Sequence, residues 1–382
     1  AGTLDIGDLT LDQKQALRVH PDREIRKVAE TLMAAGGGLP DADRDKVLKT
    51  LLPMCEESGD AVVGKAMYVK HCSRCHMHGT EGKTIGPNLT GMAVHPKEEL
   101  LTHIIDPSRS VEGNFKLFQV SLTNEKVLNG MMASETKTSI ELIDSQAKRH
   151  VILREDIDSI KASNKSLMPD GFEKQMNQKE LTDLLEFLTK RGRFLPLPLD
   201  KAATIVTTKG MFFSETAAGE RMAFADWKPK TFEGVPFTLV DPQGDRVKNA
   251  IMLNSPNGDV AKKMPRSATV AVNGPAKLIH LLSGVSGWGF PYATDKTVAM
   301  KVRLHYEDGT TEDHDLKNGE HFADYIRRVD VPGSKFAFSL GGKQIRYLSV
   351  APKKDASIKE IEFLKGTDTT SPIVFAVTVE GK

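Results

Sequence analysis

The chain has 382 residues, 52 of them Lys or Arg and 51 Asp or Glu, for a formal net charge of +1. That length favours two or three domains over one, and the balance of charge excludes the basic excess expected of a nucleic-acid binder. No apolar run is long enough to span a membrane, and Cys55, Cys72 and Cys75 are too few for a disulfide framework.

Residues 1–57 read as short helices. His20-Pro21-Asp22 has the features of a helix start, and Ile25, Val28, Ala29, Leu32 and Met33 follow at helical spacing. Gly36-Gly37-Gly38 stops that helix. Asp41 can cap a second, with Val47, Leu48, Leu51 and Leu52 on one face. The pair resembles one unit of a HEAT-type repeat, which cannot bury its own face and so needs a neighbour. The chain opens on Ala1 rather than Met, which reads as a processed or excised piece.

A helix capped by Asp60 runs into Cys72-Ser73-Arg74-Cys75-His76. Two intervening residues place the thiols about one helical turn apart, where both can form thioethers with the vinyl groups of one haem. His76 then points its imidazole at the iron. A zinc site would need further ligands, and no second Cys pair exists. Cys55 reads as a buried thiol. Residues 96–105 look helical. In 115–153, Phe118, Val120 and Leu122 alternate with Gln119, Ser121 and Thr123, as in a small antiparallel sheet inserted into a helical domain. A helix returns at 178–190 with Leu181, Leu184, Leu185 and Leu188 on one face.

Gly86-Pro87-Asn88-Leu89 follows the cysteine motif. Here the sequence resembles class I cytochromes c, in which a proline carbonyl at this position accepts a hydrogen bond from the axial histidine; Pro87 is the matching residue. Gly64 and Tyr68 match the first-helix pattern of that family, with Phe187 as a packing partner. The resemblance implies a thioether as sixth ligand, and Met168 in Ser166-Leu167-Met168-Pro169 holds the matching place before the last helix. Met92, Met131, Met132 and Met176 are competitors, with Met92, Met131 and Met132 read as packing. His71, His78, His95 and His103 are the alternative ligands. Residues 64–190 are more closely similar to the haem-binding domain found repeatedly in Planctomycetes and Verrucomicrobia, through these motifs and Ile105-Asp106-Pro107-Ser108-Arg109.

Arg193-Phe194-Leu195-Pro196-Leu197-Pro198 reads as a stiff linker, and 196–230 as its continuation. Beyond it the pattern is strand. Val298, Met300, Val302, Leu304 and Tyr306 alternate up to a turn at Glu307-Asp308-Gly309, and Ile373, Phe375, Val377 and Val379 alternate near the end. Residues 231–382 resemble carbohydrate-binding-module-like β-sandwiches, through Gly234-Val235-Pro236-Phe237 and the stretch from Leu281 to Tyr292. Trp288, Phe290 and Tyr292 either stack on a glycan or plug one end of the sandwich, and packing is the favoured reading.

The expected architecture is therefore multidomain α + β. It has HEAT-like helices at 1–57, a mainly helical class I cytochrome c domain with a β insertion at 58–195, a linker at 196–230 and a jelly-roll-type sandwich at 231–382. The expected function is periplasmic single-electron transfer through one covalent haem c, with Cys72, Cys75, His76, Pro87 and Met168 at the cofactor and its iron held by His76 and Met168. The partner is a dehydrogenase or a downstream acceptor, and no catalytic residue is assigned. The rival readings are a haem enzyme or gas sensor with an open sixth site, and a glycan-binding protein.

Overall fold

A computed structural model describes residues 17, 20–34, 42–109, 111 and 115–381. It is α + β and divides into two compact units. Unit 1 holds the described residues up to Leu89 together with His95–Lys190, and unit 2 holds Thr90–Val94 and Arg191–Lys382.

The α-helices of unit 1 include α1 (Arg23–Ala34), α2 (Ala42–Leu51), α3 (Ala61–His71), α4 (Lys97–Ile105) and α5 (Gln178–Thr189). The glycine run and Asp41, expected to separate the first two, lie outside the described residues. Ala29 is buried on α1, whereas Ile25 and Val28 are exposed. α2 is held into the unit by polar contacts. Arg44 meets Glu173 at 2.7 Å, and Asp45 meets Arg109 at 2.9 Å. Cys55 is buried just beyond α2, and burial pushes its thiol up to about 11.

Each end of the domain starts on a side-chain cap. Asp60 accepts from the backbone of Val62 and Val63, which satisfies donors that the first helical turn cannot. Asn177 and Glu180 form a reciprocal capping box at α5. α3 and α5 then cross at Gly64. A Cβ there would fall 1.9 Å from the Asp183 carbonyl oxygen and 2.9 Å from Phe187 Cβ, so only glycine permits the approach. The Tyr68 and Phe187 rings lie 5.5 Å apart beside it.

Two short strands follow the cysteine motif, β1 (Met77–His78) and β2 (Glu81–Gly82). The insertion is an antiparallel sheet of β3 (Lys116–Leu122), β4 (Val127–Glu135), β5 (Ser139–Ile143), β6 (Arg149–Leu153) and β7 (Ile157–Ser166), in the order β6-β5-β4-β3-β7.

Unit 2 begins with β8 (Phe194–Pro196), β9 (Lys230–Phe232), β10 (Val235–Phe237) and β11 (Ile251–Met252), and continues with β12 (Ser267–Gly274), β13 (Leu278–Ser286), β14 (Val298–Tyr306), β15 (Thr311–Lys317), β16 (Lys335–Leu340), β17 (Lys343–Val350), β18 (Ile358–Lys365) and β19 (Ser371–Glu380). One sheet runs β11-β19-β13-β17-β16, with β8 on β19, and the other runs β12-β18-β14-β15. Ile279, Leu281, Val377 and Val379 of the first share one core with Val302, Leu304, Ile361 and Phe363 of the second, which fits a β-sandwich. The simple alternation expected at the end of the chain breaks at a bulge. Leu282 pairs with Ala376 and Ser283 with Val374, leaving Phe375 as the extra residue.

The linker expected at 196–230 is corrected by the structure. Phe194–Pro196 pairs with β19, and Leu197 and Leu199 are buried in the core. Ile205, Met211, Phe212, Met222 and Phe224 fill a second cluster on the opposite face of the larger sheet. The backbone here is irregular, so its apolar residues carry no period of 2 or 3.6 by which to recognise them. Thr90–Val94 also belongs to this unit. Val94 is in its core and its carbonyl accepts from Asn273 at 2.7 Å, while Arg191 donates to the Ala93 and Val272 carbonyls.

Candidate haem site

α3 delivers the cysteine motif as one more turn of helix. Cys72 N–H donates to Tyr68 O, and Cys75 and His76 both donate to Cys72 O, at 3.0 and 2.9 Å. The chain then folds back, and the Cys75 carbonyl accepts from Ile85 at 2.9 Å and Gly86 at 2.8 Å. This return brings Pro87 to the histidine. His76 Nδ1 donates to Pro87 O at 2.7 Å, which fixes the tautomer and leaves Nε2 for a metal. Gly86 lies under the ring, and a Cβ there would fall 2.6 Å from His76 Cε1. Tyr68 supports the other side. Its hydroxyl sits 2.7 Å from His76 O and 2.9 Å from Glu81 O, so its one proton ties the motif to β2.

Burial sets the protonation states. It pushes the Cys72 thiol up to about 12, with Cys75 adding to the effect, and it raises Cys75 as well. Both cysteines are therefore neutral thiols near pH 7 and poor free nucleophiles. Burial lowers the His76 pKa against the opposing pull of Pro87 O, which favours the neutral imidazole that ligates metals.

The residues present fit a haem. Cys75 packs with Ile85, Phe115, Met131, Ala133, Ile143, Ala147 and Leu167 in one apolar cluster, as a mostly apolar macrocycle requires. His76 supplies an imidazole whose second nitrogen is already engaged. Bound there, the group would supply one-electron chemistry at its iron.

Met168 follows directly on Leu167, a member of the Cys75 cluster, and is half-buried. Its N–H donates to Ser166 Oγ at 3.1 Å, and Ser166 N–H donates to Ser108 Oγ at 3.1 Å. Ser108 lies in the Asp106-Pro107-Ser108-Arg109 stretch, where Arg109 bridges Asp106 at 3.0 Å and Asp45 at 2.9 Å. The stretch matched by resemblance thus tethers the Met168 loop, a role its residue types alone did not signal.

None of the competing methionines but one belongs to the apolar cluster of Cys75. Met132 belongs to a separate cluster inside the sheet. Met176 is buried, and Met92 falls in the segment assigned to unit 2. His78 packs at a tilt against Phe187 with centroids 4.6 Å apart, and His95 meets Glu99 at 3.0 Å. His71 faces the Phe172 edge, and His103 lies 4.0 Å from Glu99. Met131 is the exception, because it shares the cluster of Cys75.

In unit 2, Trp288 is half-buried and packs edge-on against Phe212 at 5.7 Å and Phe213 at 5.4 Å. Phe290 is 48% exposed, with the Arg327 guanidinium carbon 5.0 Å from its ring centroid. Tyr292 is half-buried. Asp324, which sequence reasoning missed, holds the foot of this loop. Its carboxylate accepts from Gly287 and Ile326, and burial raises its pKa.

Residues 59–114 match the family model described as cytochrome c oxidase, cbb3-type, subunit III. The match supports a c-haem domain and a haem-based electron-transfer role. No curated protein matches the chain. Among solved structures, one similar chain is the catalytic unit of a thermostable GH87 α-1,3-glucanase from Streptomyces thermodiastaticus strain HF3-3. It is 14% identical over 35% of this chain and 20% of that one, with a TM-score of 0.21. So slight a likeness carries no argument about fold or activity. No helix among the described residues is long and apolar enough to cross a membrane.

Proposed function

We propose that the chain is an exported, periplasmic c-type cytochrome of the planctomycete and verrucomicrobial type. It carries one haem bound through Cys72 and Cys75, with His76 and Met168 as axial ligands, and passes single electrons from a dehydrogenase partner to a downstream acceptor. The observation that carries this reading is the 2.7 Å bond from His76 Nδ1 to Pro87 O within a Cys-x-x-Cys-His turn. It gives the imidazole the tautomer and orientation that an axial ligand needs. The jelly-roll-type sandwich in unit 2 is the docking module of this reading, with Trp288 as packing. Phe290 and Tyr292 are the parts of the loop left to meet a partner or a glycan.

The test is direct. Thioethers survive unfolding, so haem absorbance should stay with the denatured polypeptide through acid-acetone extraction, at one haem per chain. Extraction of free haem would overturn covalent attachment. Cys72→Ala and Cys75→Ala should each give a poorly assembled product. Met168→Ala should admit carbon monoxide to the ferrous protein and lower the potential, because a thioether ligand favours reduced iron. An unchanged spectrum would exclude Met168.

A further inference from the structure

The inserted sheet has two apolar faces. On one, Val120, Met132, Ile140, Leu142 and Ile152 close on each other. An antiparallel sheet with one face so filled commonly leaves the other polar and wet. Here the middle of the second face is apolar and sealed. Met131 and Ile143 are direct cross-strand partners, each 2% exposed, and Ala133 lies on the same side. Burial is local to that spot. On the neighbouring strand β6, Val151 is 71% and Leu153 47% exposed. What seals the centre is the cluster that contains Cys75, Ile85 and Leu167.

We propose that Met131 and Ile143 form a buried wall behind the haem crevice, backing the partly open Cys75 and Leu167, and that this wall sets the reduction potential by keeping water from the cofactor. The proposal rests on the haem reading above. Its physical basis is the apolar shell around a redox centre. Excluding water disfavours the more charged ferric site and raises the potential. Met131 suits the task because its unbranched thioether chain adapts to an irregular apolar surface. Its backbone is fixed in the ladder between Leu117 and Ile143, so the side chain is delivered from a rigid strand. The insertion is then part of the electron-transfer machinery, and not an appendage to it.

The experiment compares the haem-loaded full chain with Met131→Gln and Met131→Leu by redox titration and by the ferric thioether absorption band. Met131→Gln should lower the midpoint potential while keeping that band and the covalent haem. Met131→Leu should leave potential and band unchanged. A Met131→Gln potential equal to that of the unaltered protein would overturn the wall. Loss of the band in Met131→Leu would also overturn it, by making Met131 a ligand. If Met131→Gln does not assemble, Ile143→Thr adds a hydroxyl to the same wall, and an unchanged potential there rejects the proposal equally. Failure of the underlying haem reading shows differently, as an unaltered protein that carries no covalent haem.

Discussion

Ser166 N–H donates to Ser108 Oγ at 3.1 Å across 58 positions of sequence. Through Ser166 Oγ the tether reaches Met168 N–H, so a serine far from the cysteine motif holds the proposed ligand loop in place. Ser108→Ala leaves a half-buried donor unpaired, at about 1 kcal/mol. The expected result is faster carbon monoxide binding to the ferrous protein, with the haem still covalent. Carbon monoxide kinetics equal to those of the unaltered protein would show that the tether does not position Met168.

Gly86 lies against the axial histidine, and the predicted effect of a single methyl there is large. In Gly86→Ala the new Cβ would fall 2.6 Å from His76 Cε1, so ring or loop must shift. The bond to Pro87 O should weaken with it. The ratio of haem to protein absorbance should drop, together with the potential of what assembles. Normal loading and an unaltered potential would mean that the ring has room the structure does not show.

Glu186 gives a prediction for pH. Its carboxylate accepts from Lys97 Nζ at 2.7 Å, which holds its pKa below the ordinary value, with a weaker bond from Gly59 N–H. A carboxyl whose folded pKa is depressed stabilises fully above its unfolded value of about 4.3 and loses the contribution as pH falls through the folded value. Glu186→Gln should therefore cost about 0.5–1 kcal/mol at neutral pH. The two proteins should converge in urea midpoint once the medium is acidic enough to protonate Glu186 in the fold. A midpoint gap that is the same in acid and at neutrality would assign the loss to packing instead.

The elements most readable from sequence were those under a local rule. Cys72 to His76 are fixed by spacing, and Val302 and Leu304 by alternation on a strand buried on one face. The helix crossing was legible only through the resemblance, in which a small residue at the place of Gly64 lets the last helix approach. Leu197, Met211 and Phe224 were missed for the opposite reason. They are buried by an irregular backbone, and such burial leaves no period to detect. Met131 was read as packing from its strand, but its neighbour Cys75 comes from a segment 56 positions earlier, and no one-dimensional pattern reports that meeting. Phe375 shows a further limit. A bulge moves one residue to a different face without altering the apolar string that encodes the strand.

The aromatic loop of unit 2 separates into parts with opposite expectations. Trp288 touches Phe212 and Phe213, and its Nε1 is buried without a hydrogen-bond partner among the described residues. Trp288→Ala should therefore destabilise the unit by about 3 kcal/mol, at the low end for aromatic truncation because the ring is only half-buried. Trp288→Phe keeps most of the packing and removes the unpaired N–H, so it should be milder. Phe290 is nearly half exposed, and its contact with Arg327 is worth about 0.5–1 kcal/mol at such a site, so Phe290→Ala should melt close to the unaltered protein. Melting curves of the three variants, read beside binding to a glycan array, decide between packing and recognition. A normal melt for Trp288→Ala with lost glycan binding would overturn the packing role, and would make the loop a sugar platform built around its tryptophan.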